Sequence, residues 1–356
     1  MKRYLLPLVL LVVVGCSSEQ DVPELTNVEG FVVPQERSPT NVPASLETLS
    51  AAIASNPNDH IALRQRGLLY HKKGMTQEAL QDLNHSIAVK PTPKAYFHRG
   101  LIHTQIEQFP EAVADYTDTI RLDLASAAAY FNRACCHLTM GALDKSLADL
   151  NKAVELNNRD AQAYLQRATV WLYKNDLEKA LTDLDRALKL DITLIEGYAK
   201  RGHVYYMNGD FPEALADFQQ VTKLDPTNPK GYANLGTAYF QRKQYRKALT
   251  NLNKAIHLDA QDAEAYNNRG AIYGEINKHK DALADFSRAI ELDPKFARAY
   301  CNRGHNYFQT GEYGKARKDY ETFLELDPAG GPLVSPEVRR KLSMEVNSVV
   351  DTPSQP

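Results

Sequence analysis

Small residues recur along this chain at a spacing of 34 residues, and only the first step is one residue shorter. The eight positions are Gly67, Gly100, Ala134, Ala168, Gly202, Gly236, Gly270 and Gly304. A second small residue follows each by twelve positions, and a tyrosine precedes seven of the eight by four. A period of this length is typical of repeats that each form one helical hairpin. Small residues on both helices would let them approach closely, so the pattern predicts an all-α array of stacked hairpins.

The residues at these positions resemble a known repeat. The segment 265–294, AYNNRGAIYGEINKHKDALADFSRAIELDP, carries the aromatic, small, alanine and proline positions of the tetratricopeptide repeat (TPR) family. Eight such units, over residues 60–328, cover about three quarters of the chain. The resemblance implies an all-α, right-handed α-solenoid (superhelix) of TPR hairpins. It does not imply one function, because the same fold serves many unrelated partners.

Shorter helical segments are predicted to cap both ends of the array, because an end repeat would otherwise expose an apolar face. Residues 44–57 match only the second helix of a repeat, which predicts an N-terminal capping half-repeat. A Ser-Pro-Glu sequence favours the start of a C-terminal capping helix within 329–348. Leu342 and Val346 on that helix would cover the last repeat. We expect residues 349–356 to be a disordered tail.

The N-terminus has the features of a secretory signal. Residues 1–15 contain two basic residues and an apolar run that is shorter than the roughly 20 residues needed to span a bilayer. The stretch ending at Cys16 resembles a bacterial lipobox, which implies cleavage and lipidation of that cysteine. A chance cysteine after an ordinary signal peptide is the alternative. Ser17 resembles the residue that sorts such lipoproteins to the outer membrane, facing the periplasm. Residues 16–43 are rich in proline and polar residues, which predicts a disordered membrane tether.

Charge and cysteine content narrow the classes of partner. The formal net charge of −2 becomes −4 once the two basic residues of the signal are removed. A nucleic-acid partner would require a basic stripe, so we expect none. Cys135 and Cys136 are adjacent and Cys301 lies five repeats away, which favours buried free thiols over a disulfide. No phosphate-binding glycine loop, zinc spacing or catalytic triad order is found. We therefore predict no enzymatic activity, metal, cofactor or small-molecule substrate.

Two charged positions vary together. An arginine directly precedes the small residue in seven of the eight repeats, and an aspartate follows that arginine by 16 residues in the same seven. The sixth repeat alone has Leu235 and Asn251 at these positions. Such covariation favours a structural ion pair between the two helices of a hairpin. The alternative is a ladder of arginines that binds a ligand. The predicted pairs include Arg201 with Asp217 and Arg269 with Asp285.

The turn between the two helices has its own pattern. Six of the eight turns place glycine or asparagine at one equivalent position, as expected for a left-handed residue that ends a helix. Glu107 and Lys243 occupy this position in the second and sixth repeats. Those two hairpins are therefore predicted to turn differently or with strain.

A polar position on the first helices is the candidate binding site. In the TPR family, the residue two before the small position faces the concave groove, and in some members asparagines there hold the backbone of an extended peptide. This sequence places Asn132, Asn234, Asn268 and Asn302 there, with Lys200 in the fifth repeat. We expect the contiguous run of Asn234, Asn268 and Asn302 to point at solvent in the free protein. The alternative is a merely solvated polar face. Three aromatic residues nearby could line apolar pockets: Tyr206, Phe240 and Phe308.

The chain thus resembles lipid-anchored TPR proteins of the bacterial envelope. The first hypothesis is a non-enzymatic scaffold or adaptor that binds extended peptide segments of envelope proteins in its concave groove. The alternative is a structural or assembly factor for an envelope complex of the pilus or secretin type. Such a factor would act through its convex face or by self-association.

Overall fold

The computed structural model describes residues 45–342, and within that range it contains helices and turns but no strand. The signal peptide, Cys16, the tether, Val346 and the C-terminal tail lie outside the described residues. No helix within 45–342 is both long enough and apolar enough to cross a bilayer. The α-helices are α1 (Leu46–Ser55), α2 (His60–Lys72), α3 (Thr76–Val89), α4 (Pro93–Gln105), α5 (Phe109–Leu122), α6 (Ala127–Thr139), α7 (Leu143–Leu156), α8 (Ala161–Tyr173), α9 (Leu177–Leu190), α10 (Ile195–Asn208), α11 (Phe211–Leu224), α12 (Pro229–Gln241), α13 (Tyr245–Leu258), α14 (Ala263–Glu275), α15 (His279–Leu292), α16 (Ala297–Gln309), α17 (Tyr313–Leu326) and α18 (Pro336–Lys341).

Helices α2 to α17 form eight consecutive hairpins, which confirms the predicted all-α array. The described residues divide into two compact units, 45–197 and 198–342, with the division inside α10. In the first unit, α1 packs on α2, and each second helix packs on the first helix of the next hairpin: α3 on α4, α5 on α6 and α7 on α8. The second unit repeats this arrangement with α11 on α12, α13 on α14 and α15 on α16.

The recurring small residues sit where the two helices of a hairpin touch. A Cβ atom added to Gly202 would lie 2.7 Å from the ring of Phe218, and one on Gly236 would lie 2.6 Å from Leu252. Such distances are too short for a carbon contact, so a larger residue at Gly202 or Gly236 would force the facing side chain or its helix to shift. The second small residue of the same hairpins is fully buried, as at Ala214 and Ala248. The 34-residue pattern is therefore a consequence of close helix packing.

All eight hairpin turns use a left-handed residue at the equivalent position. Glu107 has a φ of 61° and Lys243 a φ of 56°, close to the 56° of Asn175. Of the two predicted alternatives, the second and sixth hairpins therefore keep the common turn and adopt the strained backbone. For a residue with a Cβ atom, this conformation costs about 1–2 kcal/mol relative to the right-handed region.

The helix starts follow from local capping. The side chains of Asp59, Asp160 and Asp262 each accept a hydrogen bond from a backbone amide in the first turn of the helix that follows. These bonds satisfy donors that the helix itself leaves unpaired. Proline at the first or second helical position of α5 and α11 acts in the same direction, because it removes a donor that would have no partner.

The C-terminal segment, as far as Leu342, contains two short helices. A 3₁₀ helix spans Pro328–Leu333, and α18 is only six residues long. The Ser335 hydroxyl accepts a hydrogen bond from the Val338 amide, so the predicted helix start is in place. Leu342 is buried in a cluster with Tyr320 and Phe323 of α17, so this segment covers the last hairpin. The 3₁₀ helix is capped by Asp327, whose side chain accepts a hydrogen bond from the backbone amide of Gly330.

Candidate functional site

The arginine before each small residue makes a bidentate ion pair with the aspartate 16 positions later. In the seventh hairpin, Nε and Nη2 of Arg269 donate to the two carboxylate oxygens of Asp285 at 2.8 and 2.7 Å. In the fifth, both distances from Arg201 to Asp217 are 2.8 Å. The hydrogen bond to Asp285 raises the pKa of Arg269 above its ordinary value. The same geometry recurs for Arg66 with Asp82, Arg99 with Asp115, Arg133 with Asp149, Arg167 with Asp183 and Arg303 with Asp319.

The same arginines also reach backwards to the preceding second helix. In six hairpins, Nη1 donates a hydrogen bond to a short polar side chain there. The pairs are Arg66 with Ser50, Arg99 with Asn84, Arg133 with Thr117, Arg167 with Asn151, Arg269 with Asn253 and Arg303 with Ser287. We call this three-point contact the arginine bridge. Sequence reasoning missed its backward arm, although a short polar residue two positions after most of the aspartates signals it.

The guanidinium groups of the bridges have little capacity left for a ligand. Within a bridge, Nε, Nη1 and Nη2 all donate to protein oxygens, and the flat face lies over a tyrosine ring of the same helix. The guanidinium carbon of Arg269 is 5.4 Å from the centre of the Tyr266 ring. Stacking of this kind adds to the ion pair. The bridge therefore favours the structural interpretation of the covarying positions over the ligand-binding ladder.

The sixth hairpin has no arginine bridge and handles both positions differently. Leu235 is 4% exposed and packs with Leu215 and Phe218 of the preceding hairpin. The amide of Asn251 turns back on its own helix and donates to the Lys247 carbonyl at 2.8 Å. The two side chains that replace the ion pair thus serve separate contacts.

The predicted groove asparagines lie on equivalent faces of their first helices but are less exposed than expected. Asn234 and Asn302 are half-buried, whereas Asn268 is 6% exposed and Asn132, in the other unit, is 0% exposed. The expectation that Asn234, Asn268 and Asn302 point at solvent is therefore wrong for Asn268. Lys200, at the same position of α10, is half-buried.

A fifth asparagine connects part of this set. Nδ2 of Asn302 donates to Oδ1 of Asn267 at 2.9 Å, and Nδ2 of Asn267 lies 3.5 Å from Oδ1 of Asn268. Asn267 is 1% exposed and occupies a position that is apolar in most other repeats. The chain of amides runs from α14 to α16 and explains why Asn268 is covered. We call Asn234, Asn268 and Asn302, with Asn267 between the last two, the amide row.

The predicted aromatic pocket residues form ring pairs with the next helix. The ring centres of Tyr206 and Phe211 are 5.5 Å apart, and those of Phe308 and Tyr313 are 5.4 Å apart. Phe240 pairs with Tyr245 at 6.0 Å. Each ring therefore packs against the second helix of its own hairpin, and its part in an apolar pocket stays a prediction.

The C-terminal cap covers the last of these ring pairs. Nζ of Lys341, in α18, lies 5.0 Å from the centre of the Phe308 ring and 4.6 Å from that of Tyr313. A cation over an aromatic face is favourable, so the contact helps to hold α18 on the last hairpin. Phe308 is therefore less accessible to a partner than its sequence position suggested.

The three described cysteines are free and buried or half-buried. Burial raises the pKa of Cys136 to about 11 and that of Cys301 to about 12. Burial also raises the pKa of Cys135. A thiol nucleophile must ionise near neutral pH, so these side chains serve packing.

Family comparisons agree with the hairpin geometry. Sequence profiles described as TPR repeat or tetratricopeptide repeat match residues 97–161, 170–209, 207–242, 236–277, 263–296 and 297–329. Together these matches span more than half of the chain. The chain belongs to the tetratricopeptide repeat family. Comparison of this TPR protein with curated proteins gave no match.

Solved TPR structures share the fold. A TPR protein from Parabacteroides merdae is 18% identical, with a TM-score of 0.56 over 70% of this chain and 96% of its own. The C-terminal part of a TPR protein from Cytophaga hutchinsonii is 20% identical, with a TM-score of 0.53 over 67% and 98%. YrrB, described as a TPR protein with an unusual peptide-binding site, is 30% identical over 50% of this chain and 92% of its own, with a TM-score of 0.41.

Proposed function

We propose that this TPR protein is a non-enzymatic adaptor that binds extended segments of other proteins along the face that carries the amide row. The observation that supports the proposal is the recurrence of Asn234, Asn268 and Asn302 at one position of three consecutive first helices. Each amide offers a donor and an acceptor. It can therefore bond to a peptide unit without requiring a particular side chain. We expect this face to line a concave groove, as it does in the family.

The spacing of the row suits an extended chain. Helix α14 packs directly against α12 and α16, and packed helices lie about 8–10 Å apart. An extended chain advances about 3.3 Å per residue. One amide would therefore meet every third residue of the bound segment. The half-buried Asn234 and Asn302 are the accessible members of the row, while the more buried Asn268 holds its place through Asn267.

A double variant tests the binding face. With Asn234→Ala and Asn302→Ala together, each change should remove one hydrogen bond of about 0.5–1.5 kcal/mol, which weakens binding about tenfold. The measurement is the affinity of peptides selected by the full chain from a displayed library of random extended peptides. Asn251→Ala is the matched control, because that amide bonds only to its own helix.

The thermal midpoint of each variant separates binding from folding. Affinity and midpoint that both stay unchanged in the double variant would exclude the amide row as the binding face. That result would favour the alternative of an assembly factor that acts through its convex face or by self-association.

We also propose that the adaptor is anchored in the bacterial envelope, at the outer membrane facing the periplasm, by lipid on Cys16. The lipobox-like stretch before that residue supports this proposal. Stable anchoring requires more than one lipid chain, and in this proposal Cys16 carries the chains. Cys16→Ala should therefore release the protein from membranes. The measurement is fractionation after labelling with a fatty-acid analogue. Cys301→Ala is the control. A Cys16→Ala protein that remains in the outer-membrane fraction would contradict the anchor.

A further inference from the structure

The ring pairs of the second unit are interrupted at the seventh hairpin. Tyr206 with Phe211, Phe240 with Tyr245 and Phe308 with Tyr313 occupy equivalent positions in the fifth, sixth and eighth hairpins. The seventh hairpin has Gly274 and His279 there instead. The first ring of the pair is therefore missing, and only the imidazole of His279 corresponds to the second.

The backbone does not require glycine at position 274, and a single group of the described residues crowds a side chain there. Gly274 lies inside α14 and is not among the residues with positive φ. A Cβ atom added to it would meet only one group of the described residues within 4 Å, Nδ2 of Asn306 at 3.2 Å. By contrast, a Cβ atom on Gly270, one turn earlier, would lie 2.8 Å from the Phe286 ring. Glycine at position 274, the second-last residue of α14, thus leaves space beside Asn306 that the equivalent hairpins fill with a ring.

The buried amide of Asn306 lies beside this space, and its Nδ2 is the atom nearest to Gly274. Asn306 of α16 is 3% exposed and stands where equivalent positions hold Val204, Ala238 and Ile272. Its Oδ1 accepts no hydrogen bond from the described residues, and Nδ1 of His279 is likewise a buried ring atom with no such partner. Buried polar atoms are nearly always paired, and leaving one unpaired is unfavourable. Oδ1 of this polar side chain, in an otherwise apolar column, is therefore a candidate acceptor for a donor from a bound partner.

We propose that Gly274, His279 and Asn306 form a notch that receives one tyrosine side chain of the bound segment. The ring would take the place of the missing first ring and restore a pair with His279. Its hydroxyl would donate to Oδ1 of Asn306, which an aliphatic side chain cannot do. The proposal rests on the proposed function, since it assigns a side-chain preference to a segment held by the amide row.

Two small probes test the notch independently of any peptide. p-Cresol carries the tyrosine side chain and toluene that of phenylalanine, and saturation-transfer NMR with the full chain measures their binding. We expect p-cresol to bind about three- to tenfold more tightly than toluene, the effect of one hydrogen bond to a buried acceptor. Asn306→Val, which installs the residue found at the equivalent Val204, should remove that preference. Equal binding of the two probes to the unmodified chain would overturn the proposal.

Filling the notch from within provides the second test. Gly274→Phe should abolish p-cresol binding, because the new ring occupies the same space. Gly314→Phe is the matched control: it also adds a ring to an open helical glycine of the same unit, with no described group within 4 Å of its Cβ. An unchanged p-cresol signal in a folded Gly274→Phe protein would place the probe elsewhere and overturn the notch. Thermal melting establishes that each variant is folded, and Asn306→Val keeps the test open if Gly274→Phe is not.

The displayed peptide library separates failure of the notch from failure of the proposed function. Peptides selected by the unmodified chain should share a tyrosine at one position, and Gly274→Phe should lose that preference while still binding peptides. Selected peptides that depend on the amide row but share no tyrosine would overturn the notch and leave the adaptor function standing. If no peptides bind the unmodified chain, both proposals fail, even where p-cresol binds.

Discussion

The sixth and seventh hairpins are neighbours in one unit and differ in opposite ways. The sixth has lost the arginine bridge, with Leu235 and Asn251 in its place, but keeps a ring pair formed by Phe240 and Tyr245. The seventh has the bridge from Arg269 to Asp285 but has Gly274 in place of the first ring. The arginine bridge and the ring pair therefore vary independently in these two hairpins. One joins helices within and between hairpins, and the other shapes the face on which we expect a partner to bind.

The largest difference in stability between the two hairpins is expected when the arginine bridge of the seventh is broken. Arg269→Ala should lower the free energy of unfolding by about 1–3 kcal/mol, because the Asp285 carboxylate, with its side chain 8% exposed, loses its charged partner. The measurement is urea unfolding of the full chain. Asn251→Ala in the sixth hairpin should change it by less than about 0.5 kcal/mol, since no ion pair is broken there.

A double-mutant cycle isolates the contact itself. Arg269→Ala combined with Asp285→Ala should cost much less than the sum of the two single changes, because the second change removes the stranded charge. Strictly additive losses would mean that the two side chains do not stabilise each other in solution.

The reverse experiment installs the charges where they are missing. Leu235→Arg alone should destabilise the protein by about 1–3 kcal/mol, since it replaces a buried leucine with an unpaired charge. Adding Asn251→Asp should recover most of that loss and leave the double variant within about 1 kcal/mol of the original. If the second change recovers nothing, the sixth hairpin has packed in a way that no longer brings these positions together.

Substitutions in the hairpin turns should have the smallest effect on the free energy of unfolding. Lys243 in the sixth hairpin and Asn277 in the seventh are both left-handed, with φ of 56° and 60°. Lys243→Gly should raise the free energy of unfolding by about 0.5–1 kcal/mol, because glycine adopts this backbone without strain. Asn277→Gly should change it by only a few tenths, since asparagine already tolerates the left-handed region. Equal gains at both positions would show that the lysine is not strained.

The fold was predictable because its determinants are local and repeated. The small residues at Gly202, Gly236 and Gly270 mark contacts inside a hairpin, and each recurs at the same spacing. The covariation of Leu235 with Asn251 likewise pointed to a contact within one hairpin. Both kinds of contact join positions at a fixed sequence separation, so a single chain with eight copies reveals them.

The candidate site was less predictable, because burial depends on neighbours in other hairpins. Asn268 is covered through Asn267, whose own partner is Asn302 on the next first helix. The shielding of Phe308 by Lys341 comes from a cap that belongs to no repeat. The backward arm of each arginine also crosses between hairpins. A pattern read one hairpin at a time could not anticipate these contacts.

The backward arm gives the array a direction. Each of the six described arms runs from an arginine to a residue nearer the N-terminus, and the first, from Arg66, ends on Ser50 of α1. During synthesis, each of these six arginines would therefore emerge after its acceptor, and α1 supplies the acceptor for the first. Shortening the chain from its C-terminal end, one hairpin at a time, leaves every remaining arm in place. Shortening it from the N-terminal end would instead remove, at each described arm, the acceptor of the next hairpin's arginine, so the two ends of the array are not equivalent.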